Sequence, residues 1–234
     1  MVNVVDCDQH LFEPPDLWAR YIDPVHRDSA LRLDEDVLGY TWLWWRDQQI
    51  ALAFHQVPGD TQAVGGQLRR LRDGQPAEYS YAEMVPADYT DPRARLRRLD
   101  ELGIDATMVF PNNGLVWERR LSADLAALLA NMAAWNRWAG EVAADGAGRL
   151  FPVVHLSLRD LDWLDRQLAA AATAGVRVRL MAKAGDLFMF CSDYPHSEGT
   201  ADPRGDYRRT CPAASEPDVA PGLFGANAAW LLGH

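Results

Sequence analysis

Residues 2–10 read V-N-V-V-D-C-D-Q-H, an apolar segment that ends in two carboxylates and an imidazole. Side chains alternate across a β-strand, so Asp6, Asp8 and His10 are predicted to share one face of this strand. Parallel α/β folds place functional groups at the C-terminal ends of strands, and carboxylates with imidazole suit Zn²⁺ and similar divalent ions. An equally good alternative is a strand end that binds no ligand, where both aspartates accept hydrogen bonds from loop amides.

A second acid–imidazole pair follows the last apolar segment of the chain, L-F-M-F at 187–190. The motif C-S-D-Y-P-H at 191–196 places Asp193 at the end of this predicted strand and His196 three residues later. An aspartate beside a metal-bound water is suited to act as a general base, because the ion lowers the pKa of the water toward about 7. A turn stabilised by the Asp193 side chain before Pro195 is the structural alternative. Together the two strand ends predict a metal site at one rim of a parallel sheet.

Several other polar residues are predicted to lie near this rim. His155 ends the third predicted strand and is a candidate ligand, although a histidine in this position also fits a wall residue. Glu13 follows His10 in a loop and is a second candidate. Asn112 and Asn113 follow the strand at 106–110, where they predict a turn or a contact to substrate.

Strand, polar loop and amphipathic helix recur along the chain, which predicts βα units and a parallel sheet. Five strands are predicted, at 2–10, 106–110, 150–156, 176–181 and 187–190. Helices are predicted over 92–102, 122–144, 161–174 and 227–232, and Ser122 is expected to cap the second of them. Leucines form the buried stripe of the first helix, whereas its arginines, Arg95 among them, are expected to face solvent.

Residues 30–86 interrupt this pattern and predict a small irregular insertion. The alternation in Y-T-W-L-W-W at 40–45 predicts a β-hairpin, and glycine-containing turns punctuate the rest. A tryptophan-rich hairpin of this kind fits packing against the main body or the lining of a substrate pocket. Residues 1–234 are otherwise expected to form a single domain.

Charge and cysteine content exclude several classes of protein. Lys and Arg number 23 against 33 Asp and Glu, and this net charge of −10 argues against a nucleic-acid or anionic-membrane partner. No apolar run approaches the ~18 residues of a membrane span. Three cysteines without C-x-x-C spacing and an N-terminus without a signal peptide predict a cytoplasmic protein with reduced thiols. Motifs for nucleotide binding, serine hydrolysis and zincin chemistry are absent from the sequence.

Four segments give the chain its resemblance to a known family. They are V-V-D-C-D-Q-H-L-F-E-P-P-D-L-W at 4–18, R-L-D-E-L-G-I-D-A-T-M-V-F-P at 98–111, C-S-D-Y-P-H at 191–196 and F-G-A-N-A-A-W-L-L-G at 224–233. With these segments the chain resembles the amidohydrolase-related (amidohydrolase 2) family of metal-dependent hydrolases and decarboxylases. The resemblance implies a (β/α)₈ TIM-type barrel with one divalent ion, expected to be zinc, with manganese or iron as alternatives. It implies Asp8 and His10 as metal ligands and Asp193 as ligand or catalytic base.

The sequence departs from the family in the middle of the chain. Family members carry further histidines on middle strands, whereas here residues 182–186 lead directly into the segment that resembles the last strand. Without the insertion the chain keeps about 180 residues, and complete barrels rarely have fewer than about 200. An internal deletion at about 182–186 is therefore expected, leaving an incomplete TIM-barrel-like α/β fold of about five βα units. Open sheet edges in such a fold predict self-association or a homo-oligomer.

The expected function is metal-dependent chemistry on a small organic substrate. Metal-activated water would hydrolyse an amide, ester or lactone-like bond, or the ion would assist loss of CO₂ from a small carboxylic acid. In either reaction His155 or His196 would supply an imidazole in place of the absent ones. The alternative is a catalytically impaired, internally deleted family remnant or a binding protein.

Overall fold

A computed structural model describes residues 4–54, 56–176, 189–196, 200–210, 217 and 220–232. The strand predicted at 176–181 lies almost entirely outside the described residues, as do the first half of the strand predicted at 187–190 and the junction at 182–186. In the part that is described, the chain is a mixed α/β fold with two separate sheets.

The strands and helices follow one another in the order expected for βα units with an insertion. The strands are β1 (Val5–Leu11), β2 (Leu31–Glu35), β3 (Thr41–Trp45), β4 (Gln48–Leu52), β5 (Ala106–Pro111) and β6 (Leu150–Pro152). The helices are α1 (Leu17–Tyr21), α2 (Thr61–Arg72), α3 (Tyr81–Met84), α4 (Ala87–Thr90), α5 (Pro92–Leu102), α6 (Gly114–Leu121), α7 (Leu125–Asp145), α8 (Leu161–Thr173), α9 (Pro203–Thr210) and α10 (Asn227–Leu232). A 3₁₀ helix at Pro24–Ser29 and a π-helix at Gly222–Ala226 complete the set. None of the described helices is long and apolar enough to cross a lipid bilayer.

The main sheet is parallel, as predicted, with strand order β1-β5-β6. The segment at 190–194 runs along the other side of β1. Cys7 N donates to Phe190 O at 2.9 Å, Asp193 N donates to Asp8 O at 2.8 Å, and Gln9 forms a parallel bridge with Tyr194. This pairing brings the ends of the first and last predicted strands to the same edge of the sheet. The described strands do not close into a barrel.

A register shift in β1 overturns the prediction that Asp6, Asp8 and His10 share one face. The pairing of β1 with β5 slips between Asp6 and Gln9, which puts both of these side chains in the buried layer beneath the helices. His10 pairs with Phe110 on the opposite face of the sheet. Because a β-bulge inserts one extra residue, it breaks the alternation on which the prediction depended.

Two apolar layers cover the main sheet. On one face, Val109 and Leu150 belong to the large core cluster that includes Leu99 of α5 and Trp135 of α7. On the other face, Val5 and Ala106 form a smaller cluster with Ala228 and Leu232 of α10.

One predicted helix is confirmed, whereas the start of another helix and the end of one strand differ from the predictions. The helix at 92–102 is confirmed, and it ends at Gly103, whose φ of 63° is a left-handed conformation that favours glycine. The helix predicted from Ser122 begins instead at Leu125, because the side chain of Asp124 accepts a hydrogen bond from Ala127 N. The hydroxyl of Ser122 donates to Arg119 O at the end of α6. The third strand is also shorter than predicted and ends at Pro152.

The insertion contains the second sheet, an antiparallel meander in the order β2-β3-β4. Leu43 and Trp45 of β3 are buried and belong to the large core cluster, whereas Trp42 and Trp44 are partly exposed. Leu31 N donates to Asn131 Oδ1 of α7 at 2.9 Å, which ties the insertion to the main body.

Candidate metal centre

Four polar side chains meet where β1 and the segment at 190–194 end. His10 Nε2 lies 3.4 Å from Asp8 Oδ1 and 3.3 Å from Asp193 Oδ1. His196 Nδ1 lies 3.0 Å from the same Asp193 oxygen. Among the described residues, donor atoms of His10, Asp193 and His196 all fall within 4.8 Å of one another. Asp8 stands at the margin of this group, in contact with His10.

The backbone around Asp193 turns sharply to bring these groups together. Asp193 has a φ of 55°, a left-handed conformation that aspartate tolerates better than most residues do. Its N–H donates to Asp8 O, and its carbonyl accepts from His196 N at 2.8 Å. The turn therefore folds His196 back over Asp193, and the rings of His10 and His196 come to 3.9 Å between centroids. Sparsely populated backbone conformations of this kind cluster at functional sites.

The electrostatics of the centre suit a cation. Burial alone would lower the pKa of His10, but hydrogen bonds to Asp193 and Asp8 outweigh it and raise the pKa to about 9. For Asp193 burial has the opposite effect and alone would raise the pKa. Its contacts with His10 and His196 outweigh burial and bring that pKa below the usual value. Asp193 is therefore a carboxylate at neutral pH. Its side chain is 33% exposed, which leaves the centre open to solvent.

Each imidazole is also held from its far side, by the last residue of β5 or by the turn that follows it. His10 Nδ1 lies 3.3 Å from Pro111 O, and His196 Nε2 lies 2.8 Å from Asn112 Oδ1. Sequence reasoning assigned Asn112 only to a turn or a substrate contact. The sequence did contain a signal for this role, because Asn112 comes one residue after a strand that neighbours β1.

Glu13, predicted as an additional site residue, lies behind the centre. It is fully buried, and its two carboxylate oxygens accept hydrogen bonds from Asn113 N at 2.9 Å and Asn113 Nδ2 at 2.8 Å. Burial raises the pKa of Glu13 to about 7. The residue anchors the turn after β5 and is not part of the donor group.

His155, another predicted candidate, faces a different set of partners. Its Nδ1 lies 2.7 Å from Glu118 Oε1, and its backbone N–H donates to Asn136 Oδ1. The ring packs between Trp117 and Trp135, with centroids 5.2 and 5.9 Å away. Within the described residues, the donor group does not include His155.

Asp6 and Arg95 support the centre from the buried layer. Asp6 Oδ1 accepts from Asp8 N at 3.1 Å and from Ser192 N at 3.0 Å, so one carboxylate joins both strand ends. Burial raises the pKa of Asp6 to about 6.

Arg95 was predicted to face solvent but is fully buried. Its guanidinium donates to Gln9 Oε1 at 3.1 Å, to His10 O at 2.8 Å and to Asp88 O at 2.7 Å. The spacing of four residues from the buried Leu99 places Arg95 on the inner face of α5, and this spacing was the signal in the sequence.

Comparisons with solved structures show a similarity of fold. No protein-family model matches the chain, and no curated protein sequence matches it. The fold is similar to the crystal structure of an amidohydrolase from Mycobacterium avium subsp. paratuberculosis K-10, with a TM-score of 0.53 and 22% sequence identity. The aligned region covers 74% of this chain and 48% of that protein, so the chain spans about half of its length. At this identity the similarity concerns the fold.

Proposed function

We propose that this chain is a member of the amidohydrolase superfamily and a metal-dependent enzyme that acts on a small organic molecule. The observation that carries the proposal is the convergence of Asp8, His10, Asp193 and His196 at the C-terminal edge of the parallel sheet. The fold similarity to an amidohydrolase supports the same assignment.

The donor set fits a divalent cation by chemistry and by spacing. Two imidazoles and two carboxylates suit Zn²⁺, with Mn²⁺ and Fe²⁺ as alternatives. Ligand atoms about 2.1 Å from a tetrahedral ion lie roughly 3.4 Å from one another. The contacts of His10 Nε2 with Asp8 and Asp193, at 3.4 and 3.3 Å, match this separation. His10 Nδ1 faces Pro111 O, which leaves Nε2 as the ligand nitrogen.

The residues of the centre have separate roles in this proposal. His10, Asp193 and His196 would hold the ion, with Asp8 as a further ligand at the margin of the group. When bound, the ion would lower the pKa of a water molecule toward about 7. Asp193 is ionised and partly exposed, so its carboxylate can serve as a ligand or accept the proton of the attacking water. Hydrolysis of an ester, lactone or amide is the reaction we favour, with decarboxylation of a small carboxylic acid as the related alternative.

Purified protein should be assayed after loading with Zn²⁺, Mn²⁺ or Fe²⁺. The substrates are a panel of small esters, lactones, amides and carboxylic acids. Turnover is measured as the release of protons or of CO₂. We expect metal-dependent turnover that falls by about 10²–10⁴-fold in Asp193→Asn. The matched control Asp47→Asn lies in an exposed turn and should keep full activity.

Two results would contradict the proposal. One is the absence of turnover for every substrate with every metal, which would favour the impaired remnant or the binding protein. The other is turnover that persists unchanged in Asp193→Asn.

A further inference from the structure

The turn at 111–114 reaches both imidazoles of the candidate metal centre. Pro111 O lies 3.3 Å from His10 Nδ1, and Asn112 Oδ1 lies 2.8 Å from His196 Nε2. A neutral imidazole carries one N–H and one lone pair, and the partner of one nitrogen decides which form the other takes. The turn therefore holds one nitrogen of each ring away from the centre and leaves the other nitrogen facing it.

Contacts outside the donor group fix this turn in place. Asn112 N donates to Leu11 O at 3.1 Å, and Asn113 donates twice to the buried carboxylate of Glu13. At Gly114, an added Cβ would lie 2.5 Å from Pro111 Cγ and 3.1 Å from His155 Cε1, so a larger residue has no room. Asn112 is thus preorganised by packing and hydrogen bonds that do not depend on an ion.

We propose that Asn112 is a positioning residue that accepts the Nε2–H of His196 and so presents Nδ1 of that ring to the centre. In the metal-free protein Nδ1 donates to the ionised Asp193 Oδ1 at 3.0 Å, and a bound ion would take the place of this proton while Nε2–H stays on Asn112 Oδ1. Metal-bound histidines generally donate their other N–H to an oxygen acceptor, and this contact orients the ring. The orientation of His196 follows from the geometry, whereas its consequence for metal binding rests on the proposed function.

The hydrogen bond is tested first in metal-free protein by ¹H–¹⁵N NMR of the histidine rings. The His196 Nε2–H signal, assigned by its loss in His196→Gln, should exchange slowly in the wild type and in Asn112→Asp, which keeps an acceptor oxygen. The signal should be lost to fast exchange in Asn112→Leu and in Asn112→Ala. Two variants are used so that a folding defect in one does not decide the result. Persistence of the protected signal in both would overturn the proposal.

Titration with Zn²⁺ then tests the consequence for the ion. We expect Asn112→Leu to weaken Zn²⁺ binding by about 10–100-fold and Asn112→Asp to restore it to within a few-fold of the wild type. Unchanged affinity in Asn112→Leu would overturn the role of Asn112 at the metal centre. If the wild type itself bound no Zn²⁺, the proposed function would fail, and the metal-free NMR result would still decide whether Asn112 orients His196.

Discussion

Glu13 is an ionisable residue whose environment differs strongly between the folded and the unfolded chain. In the folded chain, burial raises its pKa from 4.5 to about 7. Between these values the folded state keeps a proton that the unfolded state has lost, so the free energy of unfolding falls as the pH rises. Glu13 therefore favours the folded state below about pH 4.5, and this contribution is lost as the pH passes through about 7.

Substitution of Glu13 by glutamine should remove this pH dependence. The free energy of unfolding in urea is measured for the wild type and for Glu13→Gln between pH 4.5 and 8. Over this range the wild type should lose on the order of 2–3 kcal/mol relative to the variant. The introduced glutamine amide can still bond to Asn113 if the Asn113 amide turns over. Glu78→Gln, at an exposed position, is the control and should follow the wild type. Parallel pH profiles for wild type and Glu13→Gln would contradict the assigned burial effect.

For individual residues, the sequence contains enough information to predict which strand ends form the site but not how its side chains are oriented. Asp8, His10 and Asp193 were predicted at two strand ends, and the parallel pairing of 190–194 with β1 places them at one rim. The position of Asp6 on the opposite face from His10 could not be predicted, because a bulge depends on pairing between distant segments and leaves no periodic signal. The metal-binding and catalytic roles of the site residues stay predictions.

Helix α5 illustrates what decides the buried face of an element. Its leucines were predicted to be buried, and Leu99 is, but Arg95 lies on the same face. Arg95 was assigned to solvent as part of the polar face of the helix, and burying its charge is costly without partners. Here Gln9, His10 and Asp88 supply three acceptor oxygens, and such partners are visible only once β1 and α5 are packed together.

Loss of Arg95 should therefore destabilise the fold far more than loss of its neighbour. Arg95→Ala removes one buried and two partly buried hydrogen bonds, and we expect the free energy of unfolding in urea to fall by about 3–5 kcal/mol. Arg97→Ala, on the exposed face of the same helix, should change it by less than about 0.5 kcal/mol. Similar losses in the two variants would show that the buried network contributes little.

On the scale of the whole molecule, the parallel α/β class could be predicted, whereas the extent of the sheet could not. Repeated strand–helix units and glycine stops such as Gly103 gave the class and the positions of α5, α7, α8 and α10, four of the ten described α-helices. Sheet closure depends on pairing between distant strands, which local periodicity does not encode. The described residues give a three-stranded parallel sheet extended by 190–194.

The position of β6 at the edge of the described parallel sheet predicts association in solution. In the described part of the chain β6 pairs only with β5, and the loop after it exposes apolar side chains, including Leu158 at 81%. We expect the mass measured by light scattering to exceed 26.1 kDa and to rise with concentration. Leu158→Lys should reduce this association. Val25→Lys, at a position that is 79% exposed in the 3₁₀ helix, should not. A monomer at every concentration would refute the expectation.

The proposed function depends on one cation held between two strand ends. The most direct measurement is equilibrium binding of Zn²⁺ to chelator-treated protein, for the wild type, His10→Ala, Asp193→Asn and the control Asp47→Asn. We predict one ion per chain for the wild type and the control, and an affinity at least about 100-fold lower for each of the other two variants. Failure of the wild type to bind Zn²⁺, or equal binding by all four proteins, would contradict this prediction.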